Sequence, residues 1–244
     1  MTKLNELPLV LVPCFSGAPW DTASFPQWKN REMITGQLPN AESMDEYADI
    51  VSAWTKGIGD YVLVGDSFGA SVALLLAERQ PDYLKALVMS GGFAKADVTL
   101  FTRLRVVAGK IIGQRGYPLT VKMHVRSLSS HFDPPGTDEE LRQLFMKHSD
   151  AKTFIKRGTL VLKADLRPGL GQVKVPTLIL TPEDDRLIGP ESASELKNGI
   201  QLATEEVLKG TGHLLRFTHE IAYAEAVDRF LEMSSRPSPD SPHH

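Results

Sequence analysis

Acyl transfer at neutral pH needs three groups: a hydroxyl that attacks, an imidazole that takes its proton, and a carboxylate that orients the imidazole. This chain holds a candidate for each. Ser67 stands in Gly65-Asp66-Ser67-Phe68-Gly69, and His213 ends Lys209-Gly210-Thr211-Gly212-His213. Asp185 ends Thr181-Pro182-Glu183-Asp184-Asp185. A serine hydroxyl is a poor nucleophile until a base accepts its proton, and a base working near neutrality is a histidine. The carboxylate fixes the histidine tautomer and stabilises the imidazolium that forms.

These groups matter only if the backbone brings them together. Tyr61-Val62-Leu63-Val64 is a β-branched apolar run, and Ala70–Glu78 has the small-residue and leucine pattern of a helix. Between them lies Gly-x-Ser-x-Gly, which makes strand, sharp turn and helix into a nucleophile elbow. The two glycines lack a Cβ and so leave room around the serine. The hydroxyl then projects above the carboxyl end of the strand, where helix N–H groups and the helix dipole favour negative charge. The competing reading is an ordinary strand-to-helix turn with a capping serine. Asp185 follows the apolar strand Thr177–Leu180, and His213 follows Glu205–Leu208. The competing reading of Asp185 is a cap for the helix after it, since aspartate is common in such turns. Asp184 and Glu183 remain alternative orienting acids, and His219, at the start of a helix, is a weaker alternative base.

The remaining elements alternate. Leu9–Val12 is a continuous apolar run, as a central parallel strand buried on both faces requires. Trp20–Trp28 reads as a short helix and Glu32–Thr35 as a strand. Ser43-Met44-Asp45-Glu46 is a capping box, followed by Met44, Tyr47, Val51 and Trp54 at helical spacing. Ala86–Met89 is the next strand, and a helix over Glu191–Asn198 follows Thr177–Leu180. The closing helix starts near Thr218, with Ile221, Ala224, Val227 and Phe230 or Leu231 on one face. Strands alternating with helices imply right-handed crossovers and a parallel sheet.

Residues 93–171 break this rhythm. Leu100, Leu104, Val107 and Ile111 repeat at helical spacing, and Thr137-Asp138-Glu139-Glu140 reads as a second capping box before Leu141, Leu144 and Phe145. We read the block as an inserted helical cap, with residues 1–92 and 172–233 forming the core. Residues 234–244 have the composition of a disordered tail, and His243 and His244 resemble a tag remnant.

Composition narrows the function classes. A net charge of -3 leaves no basic footprint, so nucleic acid is not an expected partner. A single cysteine, Cys14, excludes an internal disulfide and fits a reducing compartment. Leu7–Val12 is too short for a signal peptide or membrane span. The expectation is a cytoplasmic protein away from membranes. His124, His131, His148 and Asp133 show no close ligand spacing, so no metal is expected. A lone cysteine at a strand end reads as a buried filler, because no cation near it in sequence would lower its pKa.

Leu11-Val12-Pro13-Cys14-Phe15-Ser16-Gly17, the elbow, Met89-Ser90-Gly91-Gly92, Pro182-x-x-Asp185 and Gly212-His213 together resemble the α/β-hydrolase family, in its branch of small capped esterases and C–C bond hydrolases. The order Ser67, Asp185, His213 is the order those enzymes use. The resemblance implies oxyanion donors at the backbone N–H groups of Phe15 and Phe68, and no cofactor. It implies a pocket touching Cys14, Ser16, Phe93 and Leu214. It implies a mostly parallel sheet of about six strands, without the family's amino-terminal antiparallel strands. The chain departs from the family at Pro13-Cys14, where His-Gly is frequent, at Asp66, where His is frequent, and at Pro182, where glycine is common. The expected activity is cleavage of carboxylic esters of small to medium acyl chains through an acyl-enzyme. The alternatives are a C–C bond or lactone hydrolase, or a ligand-sensing protein that presents Leu100–Ile112 to a partner. The expected substrate is a small ester-like molecule; oligomeric state stays open.

Overall fold

The computed structural model describes residues 3–96 and 100–235, with residues 100–112 described by their backbone only. Six strands form one sheet: β1 (Leu9–Val12), β2 (Met33–Thr35), β3 (Tyr61–Asp66), β4 (Leu84–Ser90), β5 (Thr177–Asp184) and β6 (Ala203–Gly212). Their order is β2-β1-β3-β4-β5-β6, and every pairing is parallel. The order reverses at β1, and ligands in open parallel sheets bind beyond the strands' carboxyl ends near such a reversal.

The apolar runs form central strands because both faces are covered. Val10, Val12, Leu63, Leu87 and Ile179 point to one side, against α1 (Met44–Trp54), α2 (Phe68–Glu78) and α6 (Pro190–Gly199). Leu9, Leu11, Val62, Val64, Val88 and Leu178 point to the other, against α8 (Glu220–Ser234), Trp20 and Phe25. Burying one such side chain is worth about 1.5–3 kcal/mol, so a polar residue on either face would be costly.

Ser43 caps α1 as expected, accepting from the Glu46 N–H at 3.1 Å. The reciprocal half of the box shifts by one residue, since Glu46 accepts from the Glu42 N–H instead. Other expectations change. Trp20–Trp28 is not one helix but two 3-10 turns, Thr22–Ser24 and Pro26–Trp28. Pro26 has no N–H to continue a helix, and Trp28 stacks on Phe25 at 4.9 Å instead. The closing helix begins at Glu220, after the separate single turn α7 (Leu215–Thr218). Its buried face carries Tyr223, Ala224, Val227, Phe230 and Leu231, while Ile221 is 61% exposed. Ser234 ends that helix, and the Ser235 hydroxyl accepts from the Leu4 N–H, so these two residues belong to the packed fold. Residues 236–244 of the expected tail lie outside the described residues.

Between β4 and β5 the described residues contain no strand. They form α3 (Leu100–Leu128, broken at Gly113, φ 59), α4 (Thr137–His148) and α5 (Ala151–Lys163). Side chains of Leu100, Leu104, Val107 and Ile111 lie outside the described set, so their expected stripe and the expected partner surface do too. The capping box at Thr137 does not form: Gly136, in the left-handed region at φ 97, occupies the cap, and the Thr137 hydroxyl donates to the Pro134 carbonyl. Tyr117, Val121, Val125, Leu141, Phe145 and Phe154 make a separate apolar cluster, and Leu214 and Phe15 from the sheet side pack against it. Among the described residues no helix is long and apolar enough to cross a membrane.

Candidate active site

The elbow has the geometry its glycines require. Ser67 adopts φ 54, a sparsely populated conformation for a non-glycine residue. A Cβ on Gly65 would lie 2.6 Å from Ala70 Cα, and one on Gly69 would lie 2.3 Å from the Pro13 carbonyl oxygen. The first glycine lets α2 sit on β3, and the second lets α2 sit on the loop after β1. Ser67 is the N-cap residue of α2, but its hydroxyl makes no capping bond. That removes the plain capping-serine reading.

The hydroxyl instead lies 2.9 Å from His213 Nε2, and His213 Nδ1 lies 2.8 Å from Asp185 Oδ2. A carboxylate only accepts, so Nδ1 carries the proton and Nε2 of the neutral ring is free to accept from Ser67. β5 and β6 run past the ends read from sequence, with Asp184 paired to Gly212, and this brings residues 185 and 213 level. Gly91 (φ 54) provides the seat: a Cβ there would meet the imidazole at 3.1 Å.

The three neighbouring acids divide their tasks. Asp185 Oδ1 accepts from the Leu187 and Ile188 N–H groups, so one oxygen fixes the turn while the other faces the imidazole. Asp184 accepts from the Ser130 hydroxyl and pairs with Arg186. Glu183 accepts from the Gly210 N–H and braces the loop before His213. His219 bonds Thr218 and stands apart from Ser67. Burial opposes charge on His213, but Asp185, then Asp66 and Asp133, outweigh it and raise its pKa above the ordinary value.

The Phe15 and Phe68 rings meet edge to face at 5.8 Å. Among the described residues nothing accepts from the Phe15 N–H. Phe68 is the first residue of α2, where the N–H has no intrahelical partner. Above Ser67 a cavity of about 230 Å³ opens. Its lining includes Cys14, Phe93 and Leu214, together with Phe145, Phe154 and His124 from the inserted helices. Ser16 is a correction. It is fully buried away from the cavity, its hydroxyl engaged with Cys14 Sγ and the Ala18 N–H, because the loop turns inward there.

Two arginines went unread in the sequence. Arg216 forms a buried ion pair with Asp66 at 2.9 Å and approaches Cys14 Sγ at 3.7 Å. The expectation that Cys14 has no cationic neighbour held only along the chain, since 202 positions separate the two. Arg157, fully buried, reaches the Phe15 carbonyl. Asp66 and Arg216 lie 150 positions apart, and Arg157 and Phe15 lie 142 apart, so no local pattern signals either contact. Among the described residues no group of three or more metal-binding side chains gathers.

Residues 41–220 match the family described as serine aminopeptidase, S33. A putative carbamate hydrolase, RutD, of Serratia proteamaculans is 25% identical over 178 residues, 67% of this chain and 65% of that protein. The match therefore spans just under two thirds of that relative's length. A strigolactone esterase of Arabidopsis thaliana is 26% identical over 204 residues, 77% of this chain and 71% of that protein. The crystal structure of the enol-lactonase from Burkholderia xenovorans LB400 superposes with a TM-score of 0.76 at 18% identity, covering 92% of this chain and 91% of that one. This last likeness is one of fold.

Proposed function

The chain belongs to the α/β-hydrolase family, and from that premise we propose that it is a serine hydrolase cleaving carboxylic esters of small to medium acyl chains. The observation that carries the reading is the continuous hydrogen-bonded path from Ser67 through His213 to Asp185 at the floor of an apolar cavity. Ser67 Oγ attacks the ester carbonyl while its proton passes to His213 Nε2, and the carbonyl electron pair moves onto oxygen. The N–H groups of Phe15 and Phe68 receive that oxyanion. His213 then gives its proton to the leaving alcohol, and an acyl-Ser67 ester remains. Water repeats the sequence: it loses a proton to His213, displaces Ser67 and releases the acid. Asp185 holds the ring and balances its transient charge throughout.

Residues 93–171 act in this reading as a cap over the core of residues 1–92 and 172–233, and the cap supplies most of the apolar wall. A lactone is an internal ester and would follow the same steps. The test is Ser67→Ala assayed on p-nitrophenyl acetate and butyrate, beside an acyl-length series and a lactone panel. A fall to the uncatalysed rate is expected; unchanged turnover would overturn the proposal.

A further inference from the structure

Arg157 projects from α5 into the sheet domain, where its side chain is fully buried. Four hydrogen bonds hold it to two loops and α1: Nη1 donates to the Phe15 carbonyl at 2.8 Å, Nη2 to the Leu38 and Pro39 carbonyls, and Nε to the Tyr47 hydroxyl at 3.0 Å. Among the described residues no carboxylate pairs with it. Burying a guanidinium without a counter-ion is costly, so several well-formed acceptors must compensate. The fit is tight: a Cβ on Gly17 (φ 76) would fall 2.6 Å from the guanidinium.

What this cation grips is the loop that presents the Phe15 N–H. The other side of that peptide is also tied, since the Cys14 carbonyl accepts from the Gly17 N–H at 2.9 Å. The guanidinium lies 5.5 Å from the centre of the Tyr47 ring and 6.0 Å from that of Phe68, the second expected oxyanion donor. We propose that Arg157 is a positioning residue that assembles the oxyanion hole: α5 must be seated for the Phe15 N–H to be aimed. This rests on the serine-hydrolase reading and adds to it, because it makes the inserted helices part of the catalytic geometry as well as the pocket wall.

An alkyl trifluoromethyl ketone separates this role from a merely structural one. Ser67 Oγ adds to its carbonyl, the hydroxyl proton moves to His213, and the electron pair stays on oxygen in the oxyanion hole. The matching alcohol binds the same cavity without forming an oxyanion. Arg157→Lys keeps the charge but loses the fork that spans three carbonyls. It is expected to weaken the ketone and lower kcat about 10–100-fold, less than the roughly 10²–10³ for outright loss of one oxyanion donor, because the Phe15 N–H is misaimed and not removed. Alcohol affinity and KM are expected to stay within about threefold. Equal weakening of both ligands, or of neither, would overturn the proposal. Should Arg157→Lys not fold, Tyr47→Phe removes the hydroxyl that accepts from Nε and, at 3.4 Å, from the Ala41 N–H, and the same selective loss, about threefold or more, is expected. A wild-type protein that neither hydrolyses esters nor captures the ketone would refute the underlying serine reading, whatever the variants do.

Discussion

Gly69→Ala tests whether the elbow and the loop after β1 form one unit. The added Cβ would lie 2.3 Å from the Pro13 carbonyl oxygen and 2.6 Å from that of Val12, where ordinary contact begins at 3.4 Å. Both obstacles are backbone, so no side chain can swing aside. Relief requires α2 and the loop to part by about 1.1 Å. That gap separates Phe68, at the start of α2, from Phe15, two residues after Pro13. A misplacement of this size costs about 10²-fold in rate when it falls on catalytic geometry. We expect kcat on p-nitrophenyl butyrate to fall about 10²-fold with KM changed less than threefold. Gly171→Ala is the control: nothing lies within 4 Å of its Cβ and its φ is not positive, so kcat and Tm should hold or Tm rise slightly. A Gly69→Ala enzyme with wild-type kcat would refute the reasoning, because it would mean that the two donors need not be held together.

Asp185→Asn keeps the shape but lets the amide donate toward Nδ1 and favours the wrong tautomer; kcat should fall about 10³–10⁴-fold in a steady-state ester assay. His213 must be neutral to act as a base, and its pKa is raised, so the acid limb of kcat/KM should lie above pH 6.5. Burial, then Asp45, push Glu78 up to about 7, and its Oε1 is buried without a partner. The folded state thus holds a proton between pH 4.5 and 7 that the unfolded chain has lost, and stability falls as pH rises through that window. Glu78→Gln should raise Tm at pH 8 and change it little at pH 4. Arg216→Met strands a buried Asp66 carboxylate and should cost about 3–5 kcal/mol in urea unfolding; a loss below 1 kcal/mol would contradict the burial of the pair.

The alternation of strands and helices was legible in the chain because it is local. Runs such as Leu9–Val12 and Tyr61–Val64 declare two-sided burial within a few residues. Gly65 and Gly69 mark the elbow because a Cβ at either position strikes backbone. Asp185 and His213 could be picked out because each follows a strand, although only the folded chain separated Asp185 from Asp184 and Glu183. Ile221 falls outside the expected face because the buried stripe of α8 is centred on Tyr223, Val227 and Phe230, and the helical period carries residue 221 off it. Arg157 with Phe15 and Arg216 with Asp66 lie 142 and 150 positions apart. Neither the place of a fold's crossovers nor the depth of a loop is written in the spacing of a few neighbouring side chains. Sequence alone therefore determined which groups could react and on which elements they ride. The tertiary structure decided which distant cations sit against the neighbouring Phe15 loop and Asp66, because a buried charge finds its partners only once the chain has closed around it.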